Sequence, residues 1–444
     1  MVYTAPGRQL VTDKTTVDTY LRAMERTAAT SMREGAVMAA LLPVLNEHAD
    51  AARQKGSNVT IGRDGFGNII MRAVPEGLEN QQLPSIALSA HLDHPGFDLQ
   101  RLESGIYIGR LRGGIHPDSI VGQPVNLHFD APGGQYAGRG RVEAVMVGTP
   151  RGPMPVKGRV DLPLEKLFLV TTDNDTNVPY EFATPGDNTI MYSGDFIRGS
   201  DLDDKAGVAI AVAAFMNMAS RKLPVQAHLV LTRAEEIGLT GAWYVAKTAG
   251  SDKPNSLPKG TLAISIDTSS IYRKNDSMDA KEKAIKIAEQ GEGPVLRIRD
   301  RTSEVYDPNA LHALHEAGAR LMRSGYKVQQ LPLTGGTCEG TPYVISQTGE
   351  LNIFGAAVGI PLIGWHDGLI EARPEDERVN AVDVVNSVEL LTVLAQMIGE
   401  NPRMITPLGR MPVTDAQKET GQHLDAILAR EMSRVPLGWD VHLP

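Results

Sequence analysis

The chain has 444 residues, 42% of them hydrophobic and 22% charged, with a formal net charge of −9. That length suits one large domain or two to three smaller ones with a sizeable core, and the acidic balance argues against nucleic acid as a partner. One cysteine, Cys338, excludes an intrachain disulfide and a Cys-type zinc site and fits a reducing cytoplasm, while the opening MVYTAPGRQLVTDKTT lacks the apolar run of a signal peptide and no stretch of about 18 apolar residues argues for a membrane span.

Taken in order, Thr15 to Arg53 reads as helix from its apolar spacing, with Gly56 near its end. Gly65 and Gly67 mark a turn, and Asn68 to Val74 alternates like a strand. Pro84 to Ala90 reads as a buried strand that runs into His91-Leu92-Asp93-His94. An extended chain puts His91 and Asp93 on the same side. From Phe97 to Gly194 the character changes: β-branched residues, Gly and Pro recur with frequent turn signals and no helical period. This predicts a small all-β, barrel-like domain inserted into the chain.

The α/β pattern then returns. Arg198 to Phe215, RGSDLDDKAGVAIAVAAF, places Asp203 and Asp204 in a loop opening a helix of small residues. Alone, the pair reads as a capped helix start. Gln226 to Thr232 is a strand leading to Glu235 and Glu236. Leu262 to Ile266 is a strand ending at Asp267. Lys281 to Glu289 reads as exposed helix or loop, Asn309 to Ser324 as amphipathic helix, and Leu331 to Gly340 as a glycine-rich loop. Pro361 to Trp365 is a short strand ending at His366. Val379 to Ile398 is a long helix, and Ala416 to Ser433 a further one in the tail. The layout predicted is a catalytic α/β unit from 1–96 and 195–400, an inserted β domain at 97–194 and a tail at 401–444. The fold class is a mixed central sheet with helices on both faces.

His91, Asp203, Glu235, Glu236, Asp267 and His366 all follow predicted strands. Sites in open α/β sheets form beyond the carboxyl ends of strands, so the six groups are expected on one rim. Crowded carboxylates in a partly dry site need a cation. Two imidazoles with carboxylates suit zinc or cobalt. One carboxylate has two oxygens, so Asp203 can bridge two ions, each taking one further His and one further carboxylate. Adjacent Glu235 and Glu236 point opposite ways in an extended segment. One is then free to ligate and the other to act as general base. A glycosidase needs only two carboxylates, which leaves the histidines unexplained.

HLDHPGF, LDDKAGV, AEEIGLTGA, SIDTS, GGTCEG and the late His366 resemble the di-metal aminopeptidases of the glutamyl-aminopeptidase and tetrahedral-aminopeptidase family, within the wider zinc exopeptidase clan. GFGNII, RGGIHPDSIVGQPV and GEGPVLRIRD extend the likeness over roughly Ser31 to Gly399. The insertion between His91 and Asp203 selects this family within the clan. The resemblance implies that His91 and Asp267 hold one ion, Glu236 and His366 the other, and that Asp203 bridges them. It also implies Glu235 as base, Asp93 as the group orienting His91, and a cis peptide after Asp203. The implied cofactor is two divalent ions, zinc first and cobalt second. The implied function is hydrolysis of the N-terminal residue from short peptides by metal-bound hydroxide, in a cytoplasmic homo-oligomer. A metal-dependent deacylase on a small N-acyl compound is the alternative, separated by its indifference to a free α-amine.

The chain departs from the family pattern at His94, where an acidic residue is usual, and at Cys338-Glu339, which replaces Asp-Ala. Both are expected near the substrate cleft, with Cys338 a packed thiol rather than a nucleophile. The tail is not part of the family pattern. Its Leu424, Ile427 and Leu428 fall at helical spacing and need an apolar partner, in their own chain or in a neighbour.

Overall fold

A computed structural model of the chain describes residues 6–129, 136–149, 152–156, 167–172, 178–186, 189–271, 288–300, 304–330, 337–346, 353–368, 376–405 and 415–433. Lys281 to Ile287 of the expected element at Lys281 to Glu289, and the first part of the Gly-rich segment before Thr337, lie outside the described residues.

The central sheet has eight strands. Its middle four, Gln226–Thr232, Ser85–His91, Thr261–Ser270 and Ile353–Leu362, run parallel. Ser57–Arg63 and Ile69–Pro75 form an antiparallel margin on one side. Val295–Arg297 with Gln329–Gln330 close the other. The parallel strands are buried along almost their whole length because both faces are covered. Ile86 and Leu88 face one core, with the helices Gly35–Gln54, Leu202–Ser220, Pro308–Arg323 and Ala381–Glu400. Ala87, between them, faces the other, with Thr240–Thr248, Gly340–Ile345 and the tail helix Asp415–Met432.

The register brings the strand ends level. Thr232 pairs with His91 and Ser265 with Ser89, so Asp267 stands beside His91. The strand carrying Asp267 continues to Ser270, so this residue lies within a strand rather than after it. The strand before His366 starts at Ile353 and ends at Leu362, earlier than the expected Pro361 to Trp365, because a fully buried strand has no polar face to mark its bounds.

The first helical stretch is two helices, Pro6–Met24 and Gly35–Gln54. Glu34 interrupts them: its carboxylate turns inward to accept from the Met32 and Ala234 N–H groups and from Arg233 Nε. The helix Ala381–Glu400 is preceded by the short strand Glu377–Asn380, and the Asn380 side chain caps it by accepting from the Val382 N–H. By length and composition this helix is apolar enough to span a membrane, which the sequence reading passed over. It is a core helix, with 78% of its apolar window buried.

A second sheet of seven strands lies between Gly96 and Thr184. Pairing of Pro124–His128 with Tyr136–Thr149 closes six of them into a barrel. Phe97, Tyr107, Leu127, Val142, Phe168 and Val170 fill it. The barrel strands stop short of the expected boundary at Gly194. Ile190–Ser193 and Phe196–Gly199 instead form a small sheet with Glu377–Asn380.

The tail helix packs on its own chain. Leu424 is buried with Leu239, Trp243, Tyr343 and Ile345, and Leu428 packs beside it. Trp243 Nε1 donates to Asp425 Oδ1 at 3.0 Å. Further along, the fully buried Glu431 pairs with Arg112 of the barrel, Nη1 to Oε1 at 3.5 Å.

Candidate metal centre

His91, Asp203, Glu235, Glu236, Asp267 and His366, expected at or just after strand ends, come together at one rim of the parallel sheet. His91 is the last residue of its strand. Asp203 sits at the opening of the helix Leu202–Ser220, where Asp203 and Asp204 leave helical geometry and the peptide between them is cis. Glu235 and Glu236 follow the strand Gln226–Thr232. His366 lies in the turn Trp365–Gly368 with φ 52°, and Asp367 follows with φ 56°. Two consecutive left-handed non-glycine residues are strained, and such strain clusters at functional sites.

Asp203 is at the centre. Its Oδ1 faces His91 Nε2 at 3.2 Å and its Oδ2 faces His366 Nε2 at 3.4 Å. His366 Nε2 is 3.0 Å from Glu236 Oε1, and His91 Nε2 is 3.9 Å from Asp267 Oδ1. Donor atoms of His91, Asp203 and Glu236 lie within 4.8 Å of one another, as do those of His91, Asp204 and Asp267. Asp203 Oδ1 and Asp204 Oδ2 are buried without a hydrogen-bond partner. A buried carboxylate oxygen in that state is costly unless a cation takes it.

The surroundings fix these donors. His91 Nδ1 is 2.9 Å from the Asp93 carbonyl oxygen, and His366 Nδ1 is 2.6 Å from the carbonyl oxygen of Gly114, on the barrel side. Each contact holds the proton on Nδ1 and leaves Nε2 as the donor atom, the usual arrangement for a ligating imidazole. Asp93 accepts from Ser31 Oγ at 2.6 Å and from the N–H groups of Glu235 and Glu236 at 2.9 and 3.2 Å. Its side chain therefore holds the Glu235–Glu236 loop, as well as lying 3.7 Å from His91 Nδ1. Arg233, just before that loop, donates from Nε to Glu34 at 2.7 Å in a buried pair.

Charge at the site is unbalanced in the cation-free protein. Burial pushes the Asp204, Glu235 and Asp267 carboxyls well above the usual carboxylate range, with neighbouring carboxylates adding to it. Burial also acts upward on Asp203, but His366 and His91 outweigh it and hold that carboxyl low. Burial disfavours charge on the two imidazoles, yet the carboxylates beside them raise both. A divalent ion held there would take the place of those protons and reverse the balance.

Four residues contribute beyond the expected site set. Trp365 Nε1 donates to Asp203 Oδ2 at 2.6 Å, and Glu377 Oε2 accepts from the Asp203 N–H at 2.8 Å. Ser31 supports Asp93. Glu339 is fully buried and accepts from Ser89 and Thr232, beneath the rim rather than in the cleft where it was expected. Its charge adds to the raised state of Asp204 and Asp267. Only Glu339 and Trp365 carried a local signal, as neighbours of the Gly-rich segment and of His366. Cys338 is buried, its Sγ 3.5 Å from the Tyr306 hydroxyl and 3.4 Å from the Gly340 N–H, a packed thiol.

A sheet rim with carboxylates and imidazoles gathered round one central aspartate defines a metal-dependent hydrolase. The chain belongs to the M42 glutamyl aminopeptidase family, whose model matches residues 67–371; it is a metal-dependent aminopeptidase. Solved structures share its fold. An aminopeptidase from the archaeon Desulfurococcus kamchatkensis matches with a TM-score of 0.63 and 18% identity, covering 90% of this chain and 99% of that one. The TET aminopeptidase from a marine sediment thaumarchaeon matches at 0.61 and 15%, over 92% and 99%. The Pyrococcus horikoshii TET1 peptidase, which can assemble into a tetrahedron or a large octahedral shell, matches at 0.60 and 19%, over 85% and 99%.

Proposed function

We propose that this aminopeptidase removes the N-terminal residue of short peptides with two divalent ions, zinc before cobalt. His91 and Asp267 hold one ion, Glu236 and His366 the other, and Asp203 lies between them. The observation that carries this is the Asp203 carboxylate turning one oxygen toward each imidazole. Bound there, the ions supply an activated water and a Lewis acid for the peptide carbonyl. The chain supplies the rest. The Glu235 carboxylate takes a proton from the attacking water and delivers it to the leaving amine. Burial first, and Glu236, Asp267 and Asp93 after it, raise its affinity for protons, the direction a general base needs. Asp93 keeps Glu235 in place through the loop N–H groups and orients His91. We read 1–96 and 195–400 as the catalytic unit, 97–194 as the insertion and 401–444 as a tail that braces both. A homo-oligomer is supported by the TET1 peptidase that resembles this chain. A single, buried cysteine supports a cytoplasmic setting.

Elemental analysis of protein loaded with zinc tests the paired site, together with turnover of unblocked and N-acylated peptides. The expected result is at least two equivalents and activity only on a free α-amine. Activity on the acylated peptide alone returns the deacylase reading, and activity retained after complete chelation removes the metals from the reaction.

A further inference from the structure

We propose that His94, Asp367 and Glu377 form a third cation site beside the paired centre, taking a divalent transition-metal ion of the zinc type. One donor atom of each lies within 4.8 Å of the others. The three residues are 2%, 8% and 0% exposed. They come from three separate segments: the turn after the strand Ser85–His91, the turn Trp365–Gly368, and the strand Glu377–Asn380.

The hydrogen bonding around them is that of a prepared ligand set. His94 Nδ1 lies 2.9 Å from the main-chain oxygen of Asp203. A carbonyl only accepts, so Nδ1 carries a proton and Nε2 is the atom turned toward the carboxylates. His94 Nε2 is 3.4 Å from Asp367 Oδ2. That is long for a charge-assisted hydrogen bond, which runs about 2.7–2.9 Å. It is the separation of two donors that each reach a shared tetrahedral ion at about 2.0–2.1 Å. The spacings His91–Asp203 and His366–Asp203 in the paired centre, 3.2 and 3.4 Å, are of the same kind. Glu377 makes the independent case. Its Oε2 accepts from the Asp203 N–H, but its Oε1 is buried with no hydrogen-bond partner.

Asp201, the next carboxylate along, is paired with Lys205 at 2.8 Å, which leaves Asp367 and Glu377 as the carboxylates gathered with His94. One imidazole and two carboxylates suit zinc, cobalt or manganese. The ion also has a structural consequence. His94 grips the carbonyl of Asp203 and Glu377 grips its N–H, so a third ion braces the backbone that presents the bridging carboxylate, without touching the substrate.

The test is anomalous diffraction at the zinc edge on crystals of the full chain, stripped by chelation and reloaded with zinc beyond three equivalents. Three peaks are expected, the third about 2 Å from His94 Nε2. In Asp367→Asn the third peak and one equivalent are lost while two remain. Peaks at the pair alone in the unmutated protein overturn the proposal and make His94 itself the buried cation. A third peak that persists in Asp367→Asn overturns the ligand assignment. A peak at the third position with none at His91 and His366 leaves this site standing and overturns the paired reading. The inference is thus independent of the roles given to Glu235 and Glu236.

Discussion

Glu235 and Glu236 are neighbours in sequence with different surroundings. Glu236 meets His366 at 3.0 Å. The N–H of Glu235 is held by Asp93, while among the described contacts its carboxylate has no imidazole partner. This difference supports the proposed division of ligand from base. Glu235→Gln keeps the shape and removes the proton acceptor, so kcat falls at least about 100-fold, with metal content unchanged. Steady-state rates and elemental analysis on the same preparation check both halves, and a variant that stays active moves the base elsewhere. At this scale much was legible. His-x-Asp, Asp-Asp-Lys and Glu-Glu each carried a local chemical pattern, and strand ends told where they would meet. Trp365, Ser31 and Glu377 were not legible, because each acts through one hydrogen bond across a long sequence separation. Nothing near them in the chain marks that bond.

Elements were legible where a period was present and obscure where burial erased it. The helix Pro308–Arg323 follows its apolar spacing within a residue at each end. The strand Ile353–Leu362, buried throughout, gave no alternation to count. The break at Glu34 was hidden for another reason, since a polar side chain turned inward to Arg233 looks like any surface position in the sequence. The tail helix offers the sharpest check on element packing. Gly238 ends the loop that carries Glu235 and Glu236, with φ +120°, and a Cβ there would lie 2.5 Å from Ile427 Cδ1 of the tail helix. Gly238→Ala should therefore destabilise the protein, a smaller part through contact with the flexible end of Ile427 and the larger part through a backbone that side chains resist. Adding Ile427→Ala should recover the first part and not the second. Thermal unfolding of the two variants measures this, and a neutral Gly238→Ala would show that the helix does not press on the loop.

For the whole molecule, the barrel and the tail decide what surrounds the site. The sequence showed a β insertion but not where it ends, because Ile190–Ser193 and Phe196–Gly199 look like barrel strands until Glu377–Asn380 is seen to pair with them. The tail left two fates open; among its described residues Leu424 and Leu428 pack within the chain, while Met432 is 36% exposed. Leu102 on a barrel strand is 58% exposed and Met191 on the small sheet 50%. Multi-angle light scattering at micromolar concentration is expected to give a mass several times 47.9 kDa. An active species at the monomer mass would rule out an enclosed chamber.

The contact of His366 Nδ1 with the Gly114 carbonyl oxygen, 2.6 Å away on the barrel side, would couple the barrel to the ligand role proposed for His366. An imidazole whose tautomer is set by another structural unit would bind an ion best while that unit is docked. By thermodynamic reciprocity, whatever docking adds to ion affinity, the ion would add to docking, so that the barrel would act as a clasp fastened by its own cargo.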